Sequence, residues 1–485
     1  MTNRPTRRTR RSARLRRALL CLLLIGTGSW VGGAEREDPE RDTRTQDRVA
    51  RIDAAIAPFV AANDFMGVVG YRFDGRPPVL LHYGQAQVEL DVPHRPDGIF
   101  RIGSISKQVT AVAILLLEQD GRLAIDDRVS RYLPAFKPDD DLRIEQLLLH
   151  TSGVVDIYDL DSFARSAGAL GRFDAVLEEL AARPLTHAPG SAYAYSNGGY
   201  AVLAAIVERV SGMPYGRFVE TRIAVPLGLM SLRHVEDGDV RSGRVQGYEP
   251  LGIDGLRPAG PVAAAFLIGS GSLEADAADL LAWTTAIHSG RLLSAASHED
   301  FIRDHGNAYG YGISVFRRFD RPAIGHDGRV AGFSSDAARY PDDGLSVVVL
   351  GNVQSVARDD IRRIVAAAAL DVEIDPGTPP GDLRPVPASI DLRSLVGAYG
   401  FGPNLTVSID ARDGAVYARA NRGAETELIY RGDGRWFSRM LYTTVRFGRD
   451  ADGRVDRLIW GESDGAPVGP RLPTEGNQAL ARPGR

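Results

Sequence analysis

The chain is nearly without cysteine and lysine. One cysteine, Cys21, stands in 485 residues. That excludes a disulfide framework, a zinc cluster of cysteines and, once the N-terminus is removed, a thiol nucleophile. Two lysines, Lys107 and Lys137, stand against 56 arginines. The N-terminal apolar run, residues 18–31, has 14 residues, short of the roughly 20 that a membrane-spanning helix needs. No stable membrane insertion of the mature chain is expected. What is present is ordinary: 44% hydrophobic and 25% charged residues, the mix of a soluble globular protein.

Charge is unevenly placed. Residues 1–34 hold eight arginines and no acid. Without them, 50 basic residues face 62 acidic ones, a net −12. Such a balance argues against nucleic acid or anionic lipid as a partner. A basic stretch to Arg17, the apolar run and the small residues Gly32, Gly33 and Ala34 predict an export signal over 1–34, with an uncleaved anchor as the alternative. The expected location is the periplasm or the medium. The pair Arg16-Arg17 also admits twin-arginine export.

Residues 35–48 read as a charged spacer. Helical apolar spacing begins at 49–60, and two strand-like runs follow at 68–73 and 79–83, joined by a turn. A long mixed region closes with a strand at 345–350 and an alanine-rich helix at 359–370. Residues 375–387 hold five prolines and two glycines, the composition of a linker. Beyond it, short alternating runs at 405–409, 416–420, 427–430, 443–447 and 458–460 are punctuated by three Asp-Gly pairs. That pattern predicts an antiparallel β domain, a small barrel or sandwich. The expected division is 1–34 leader, 35–48 spacer, 49–374 main domain, 375–390 linker, 391–475 β domain and 476–485 tail.

A lysine that survives so strong an arginine bias suits work that arginine cannot do. Arginine stays protonated, whereas a desolvated lysine gives up its proton and can act as a general base. Lys137, beside a proline and three aspartates, reads as a compositional remnant. Lys107 lies three residues after Ser104 at the start of an apolar-periodic helix that Gly121 can end, so the two share a face in its first turn. A helix N-terminus favours negative charge developing on the serine, and a neutral amine can accept its proton. Serine usage alone produces this spacing often, so context must carry the reading.

Two further sites supply context. Tyr195 and Asn197 lie in a loop ahead of an apolar helix at 201–210. A phenol beside a cation can lose and relay a proton; the amide can hold a substrate carbonyl or the lysine. Taken alone, a Pro-Gly turn with a packed tyrosine is the plainer reading. His326 and Gly328 lie in a glycine-rich segment, where Gly328 lets a substrate backbone approach an edge strand and His326 supplies a cation or hydrogen bond.

Ser-x-x-Lys at 104–107, Tyr-x-Asn at 195–197 and His-x-Gly at 326–328, in that order, resemble the penicillin-recognising serine hydrolases: class C β-lactamases, DD-peptidases, D-aminopeptidases and related esterases. Leu147 to Gly153, Pro226 to Met230 and Gly269 to Leu273 support the resemblance, which covers about residues 49–372. It implies an α/β fold: a β-lactamase-like antiparallel sheet flanked by helices, with a helical subdomain. The last domain looks like the lipocalin-like β domains appended to some relatives. The resemblance makes Ser104 the nucleophile of an acyl-enzyme, has Lys107 and Tyr195 share proton transfer, and puts Asn197 on substrate or Lys107. His326 takes the place of a lysine in β-lactamases, and the N–H groups of Ser104 and Arg329 form the oxyanion hole. Neither metal nor cofactor is expected. His150, close to Ser152, reads as structural.

The implied activity is an exported peptidase or amidase for D-amino-acid peptides, or a DD-carboxypeptidase-like enzyme, with a small-molecule or peptide substrate that could derive from peptidoglycan. The alternatives are a β-lactamase or broad esterase, and a non-catalytic sensor of β-lactams or peptidoglycan. Histidine in place of lysine at 326 speaks against efficient β-lactam hydrolysis.

Overall fold

The computed structural model describes residues 39–136, 141–165, 171–288, 290–375, 377, 379–402, 405–421 and 423–473. The leader with Cys21, Lys137 and the tail from 476 lie outside the described residues. No helix among them is long and apolar enough to cross a membrane.

The centre of the main domain is a six-stranded antiparallel sheet. Its order is Ser314–Arg318, Arg321–Val330, Phe333–Tyr340, Leu345–Gly351, Gly67–Phe73 and Val79–Tyr83. Both faces are covered, which explains the unbroken apolar run at 347–350. Val348 and Leu350 join the core on one side; Leu345, Val347 and Val349 join the core on the other. The first side carries the helices Ser106–Gln119, Asn197–Ser211 and Ala277–Ala286. On the second, Ile52, Ile56 and Phe59 of Pro39–Ala61 pack with Ile361, Ile364 and Val365 of Arg358–Ala369. The first of these helices begins ten residues ahead of the expected start, so most of the expected spacer is helical. Proline at its first position needs no helical N–H partner.

The C-terminal part is an eight-stranded antiparallel meander running in strict chain order from Gly397–Gly400 to Val468–Pro470. Leu472 N donates to Ala398 O at 2.8 Å, which brings the last strand back to the first and nearly closes a barrel. Its centre is filled by Tyr399, Val407, Ile409, Val416, Leu428, Trp436, Val445 and Leu458. Two expected Asp-Gly turns take left-handed backbone at both residues, Asp413-Gly414 and Asp433-Gly434, as tight hairpins require. Three short strands, Gly397–Gly400, Arg435–Ser438 and Val468–Pro470, were not apparent from the sequence.

Residues 47–485 nevertheless form one compact unit. The seam is held by Arg439, 1% exposed, from the turn after Arg435–Ser438. Its guanidinium donates to Asp64 Oδ1 at 2.7 Å, and to the carbonyls of Ala62, Asn63, Gly252 and Gly255. The same turn accepts from Ser355 Oγ and Val356 N. Every donor edge of the buried guanidinium is used, the condition under which a buried ion pair persists.

Candidate active site

Ser104 sits in a single 3-10 turn, Gly103–Ile105, that runs directly into the helix Ser106–Gln119. Gly103 has φ +52°, and a Cβ there would stand 2.7 Å from Arg329 N. Gly328 meets the same turn from the other side, where a Cβ would stand 2.0 Å from Ile102 O. Two glycines thus let the strand Arg321–Val330 press against the serine turn and bring the backbone nitrogens of residues 104 and 329 together. Gly328 thus makes room for the backbone of Ile102.

Lys107 is fully buried one turn along the helix. Its Nζ lies 3.0 Å from Ser104 Oγ, 2.7 Å from Asn197 Oδ1 and 2.8 Å from Ser270 O. A neutral amine has two N–H bonds and one lone pair. The Asn197 and Ser270 oxygens can only accept, so they take both N–H bonds and leave the lone pair facing the serine hydroxyl. Burial drives the lysine down to about 7, partly offset by the carboxylates of Asp156 and Asp327. Near neutral pH the base form is well populated.

Tyr195 lies above the lysine, with Nζ 4.7 Å from its ring centre. Desolvation pushes the phenol well above its ordinary value, only partly offset by the neighbouring Ser104 hydroxyl. The sequence suggested a phenol that loses its proton beside a cation. In the structure the desolvated ring stays protonated, while the lysine is the group prepared to accept. The ring is still 39% exposed, so its outer side faces the cleft.

Asn197 opens the helix Asn197–Ser211, capped by Ser196, whose Oγ accepts from Gly199 N at 3.0 Å. Its amide is oriented by Asp156, a residue the motifs did not reveal. Asp156 Oδ2 accepts from Asn197 N and Nδ2, both at 2.9 Å, which turns Oδ1 toward Lys107. Ser106 and Ser196 are occupied elsewhere: Ser106 Oγ accepts from Leu273 N, and Ser196 Oγ donates to Val155 O.

His326 is 6% exposed on the strand Arg321–Val330. Its Nδ1 donates to Asp327 O at 2.5 Å, so Nε2 is bare and accepts from Tyr309 Oη at 3.0 Å. Tyr309 also meets His150 Nε2 at 3.3 Å, while His150 Nδ1 accepts from Ser196 N at 3.1 Å. Burial lowers both histidines, His150 strongly; for His326 the Asp327 carboxylate opposes the shift. Both are neutral near pH 7. The His150 ring lies 4.2 Å from the Tyr195 ring, tilted by 35°.

Ser104, Tyr195, Asn197 and His326 line one cleft of about 620 Å³, together with Tyr158, Tyr193, Asp327 and Arg329. Asp327 Oδ2 pairs with Arg358 Nη2. The Arg329 side chain is exposed in the cleft wall, where the charges of Arg358 and Asp327 act on it in opposite senses.

The family model described as Beta-lactamase matches residues 52–371. Penicillin-binding protein 4* of Bacillus subtilis is 26% identical over 425 residues, covering 77% of this chain and 88% of that protein. A D-aminopeptidase of Gluconobacter oxydans is 28% identical over 334 residues, covering 66% of this chain and 62% of that one. Among solved structures, the D-amino acid amidase of Ochrobactrum anthropi superposes with a TM-score of 0.61 at 20% identity, over 67% of this chain and 99% of the amidase. At that identity the likeness concerns the fold alone.

Proposed function

The chain belongs to the beta-lactamase family, and on that premise we propose that it is an exported serine hydrolase of D-amino-acid peptides or amides, working through a Ser104 acyl-enzyme. One observation carries the chemistry: Lys107 Nζ stands 3.0 Å from Ser104 Oγ, with its two N–H bonds directed to fixed oxygens. Neutral Lys107 takes the hydroxyl proton as Ser104 Oγ attacks the acyl carbon. The oxyanion settles on the backbone N–H groups of Ser104 and Arg329. Tyr195 gives its proton to the departing nitrogen or oxygen, and the proton that Lys107 took from Ser104 replaces it on the phenol. Water then attacks the acyl-enzyme by the same route in reverse, and acid is released.

The D-amino-acid preference rests on relatives described as a D-aminopeptidase and as a penicillin-binding protein. A peptidoglycan-derived peptide fits that preference. Residues 1–34 direct export to the periplasm or medium. The chain divides at 375–390, and the meander beyond it is of lipocalin-like type, supported by eight sequential strands and near closure. The test is turnover of D- and L-alanyl p-nitroanilide, a chromogenic cephalosporin and a short-chain ester. The D-anilide should be cleaved best. Equal turnover of both enantiomers would make it a broad esterase or amidase. A stable Ser104 adduct without turnover would make it a sensor.

A further inference from the structure

The strand residue between His326 and Gly328 is an acid, and its charge is fixed. Asp327 lines the cleft with its side chain 48% exposed. One carboxylate oxygen, Oδ2, is committed to Arg358 Nη2; Oδ1 lies 4.0 Å from His326 Nδ1. Arg358 stands at the start of the helix Arg358–Ala369, behind the strand, 5% exposed. Its Nε donates to Ser335 O at 3.1 Å, and its buried Nη1 has no hydrogen-bond partner. The protein therefore covers a buried, incompletely used guanidinium with a carboxylate of its own.

Position decides which part of a substrate meets that carboxylate. The scissile carbonyl lies between Ser104 Oγ and the nitrogens of residues 104 and 329. The leaving group must reach Tyr195, its proton donor, and the Tyr195 ring lies 6.3 Å from the His326 ring. Along the strand, Asp327 adjoins His326, whereas Arg329 lies two residues farther, about 7 Å away. Asp327 thus borders the leaving-group side, and Arg329, whose backbone nitrogen serves the oxyanion, lies farther from it along the cleft wall. His326 is held as a neutral hydrogen-bond partner and adds no cation there.

We infer that Asp327 is a specificity-determining residue that occupies Arg358 and rejects leaving groups bearing a carboxylate, so that the enzyme releases neutral or cationic amines, ammonia or alcohols. This rests on the serine-hydrolase reading and sharpens its substrate class. Amides, esters and aminopeptidase-type substrates fit; peptides that lose a C-terminal amino acid do not. A carboxylate brought beside the Asp327 carboxylate weakens binding by about tenfold. Removing the Asp327 charge uncovers Arg358, which then favours the rejected group.

The experiment uses two matched aryl esters of D-alanine, one releasing phenol and one releasing 3-hydroxybenzoate, together with their L-alanyl counterparts. The readout is the ratio of kcat/KM for the neutral over the anionic leaving group. Wild type should favour phenol by about tenfold or more. Asp327→Asn and Asp327→Thr should each reduce that ratio by about tenfold. Adding Arg358→Met to Asp327→Thr should remove the gained preference for the anion. A wild-type ratio near one, or a ratio unmoved by both Asp327 variants, would overturn the inference. So would a preference for the anion that Arg329→Gln abolishes. The D-to-L ratio tests the D-amino-acid reading separately, so either can fail while the other stands.

Discussion

The two halves of the molecule bury polar groups for opposite ends. In the main domain Lys107, Asn197, His150 and His326 are buried; Asn197 and Lys107 are chained to Ser104 at the mouth of a cleft, and the two histidines meet at the Tyr309 hydroxyl. In the barrel the centre is filled with apolar and aromatic side chains. Its most deeply buried charge, Arg439, points out of the barrel into the seam. Polar burial builds chemistry in one region and attachment in the other. The barrel turn also reaches the cleft indirectly, through Ser355 and Val356 to Arg358 and so to Asp327.

The largest break in this comparison is at the base. Lys107→Arg should lose activity as fully as Lys107→Ala, by about 10³-fold or more, because a guanidinium stays protonated. Ser104→Ala should do the same and abolish fluorophosphonate labelling, with its melting temperature near that of wild type. Labelling that maps to another serine would remove Ser104 as nucleophile.

The barrel side should fail differently. Arg439→Met should destabilise the protein by about 3–5 kcal/mol, since Asp64 is left as a buried unpaired carboxylate. In thermal unfolding this reads as a lowered midpoint; kcat per folded molecule at low temperature should stay within about threefold. Undiminished stability would show that the seam is not held by this residue.

Limited proteolysis gives a finer test. Cleavage should fall in 375–387, releasing about one hundred residues under denaturing conditions. Arg384 is tied to Tyr430 and Arg431, so cutting should favour the N-terminal part of that segment. The fragments should co-elute in native buffer, because the Arg439 seam is intact. Cutting mainly within 49–374 would contradict the expected division. The smallest effect is at Asp156, whose charge raises Lys107. Asp156→Asn should move the acid limb of kcat/KM to lower pH by about half a unit. An unmoved limb would leave Asp156 with only a structural role.

What could be read in advance follows the same division. Ser104, Lys107, Tyr195, Asn197 and His326 stand at fixed local spacings; the fold brings four of them into the wall of one cleft and buries Lys107 against Ser104 and Asn197. Ser270 contributes a backbone carbonyl, which leaves no mark on residue identity. Asp156 acts across 41 residues and Arg439 across 375 to reach Asp64, so neither belongs to a local pattern. The state of Tyr195 could not be read either, because it depends on desolvation rather than neighbours in sequence. In the sheet, long apolar runs marked the central strands, whereas the missed barrel strands have only three or four residues.

The central claim is that a neutral, buried lysine activates Ser104. The direct measurement is the rate of Ser104 phosphonylation by an uncharged fluorophosphonate between pH 5.5 and 8.5. Burial lowers Lys107 to about 7, and only its deprotonated form accepts the serine proton. The rate should therefore rise with pH through a midpoint near 7, and Lys107→Ala should be slow and flat over that range. A wild-type rate independent of pH from 5.5 to 8.5, or a Lys107→Ala variant that keeps the same midpoint, would contradict the account.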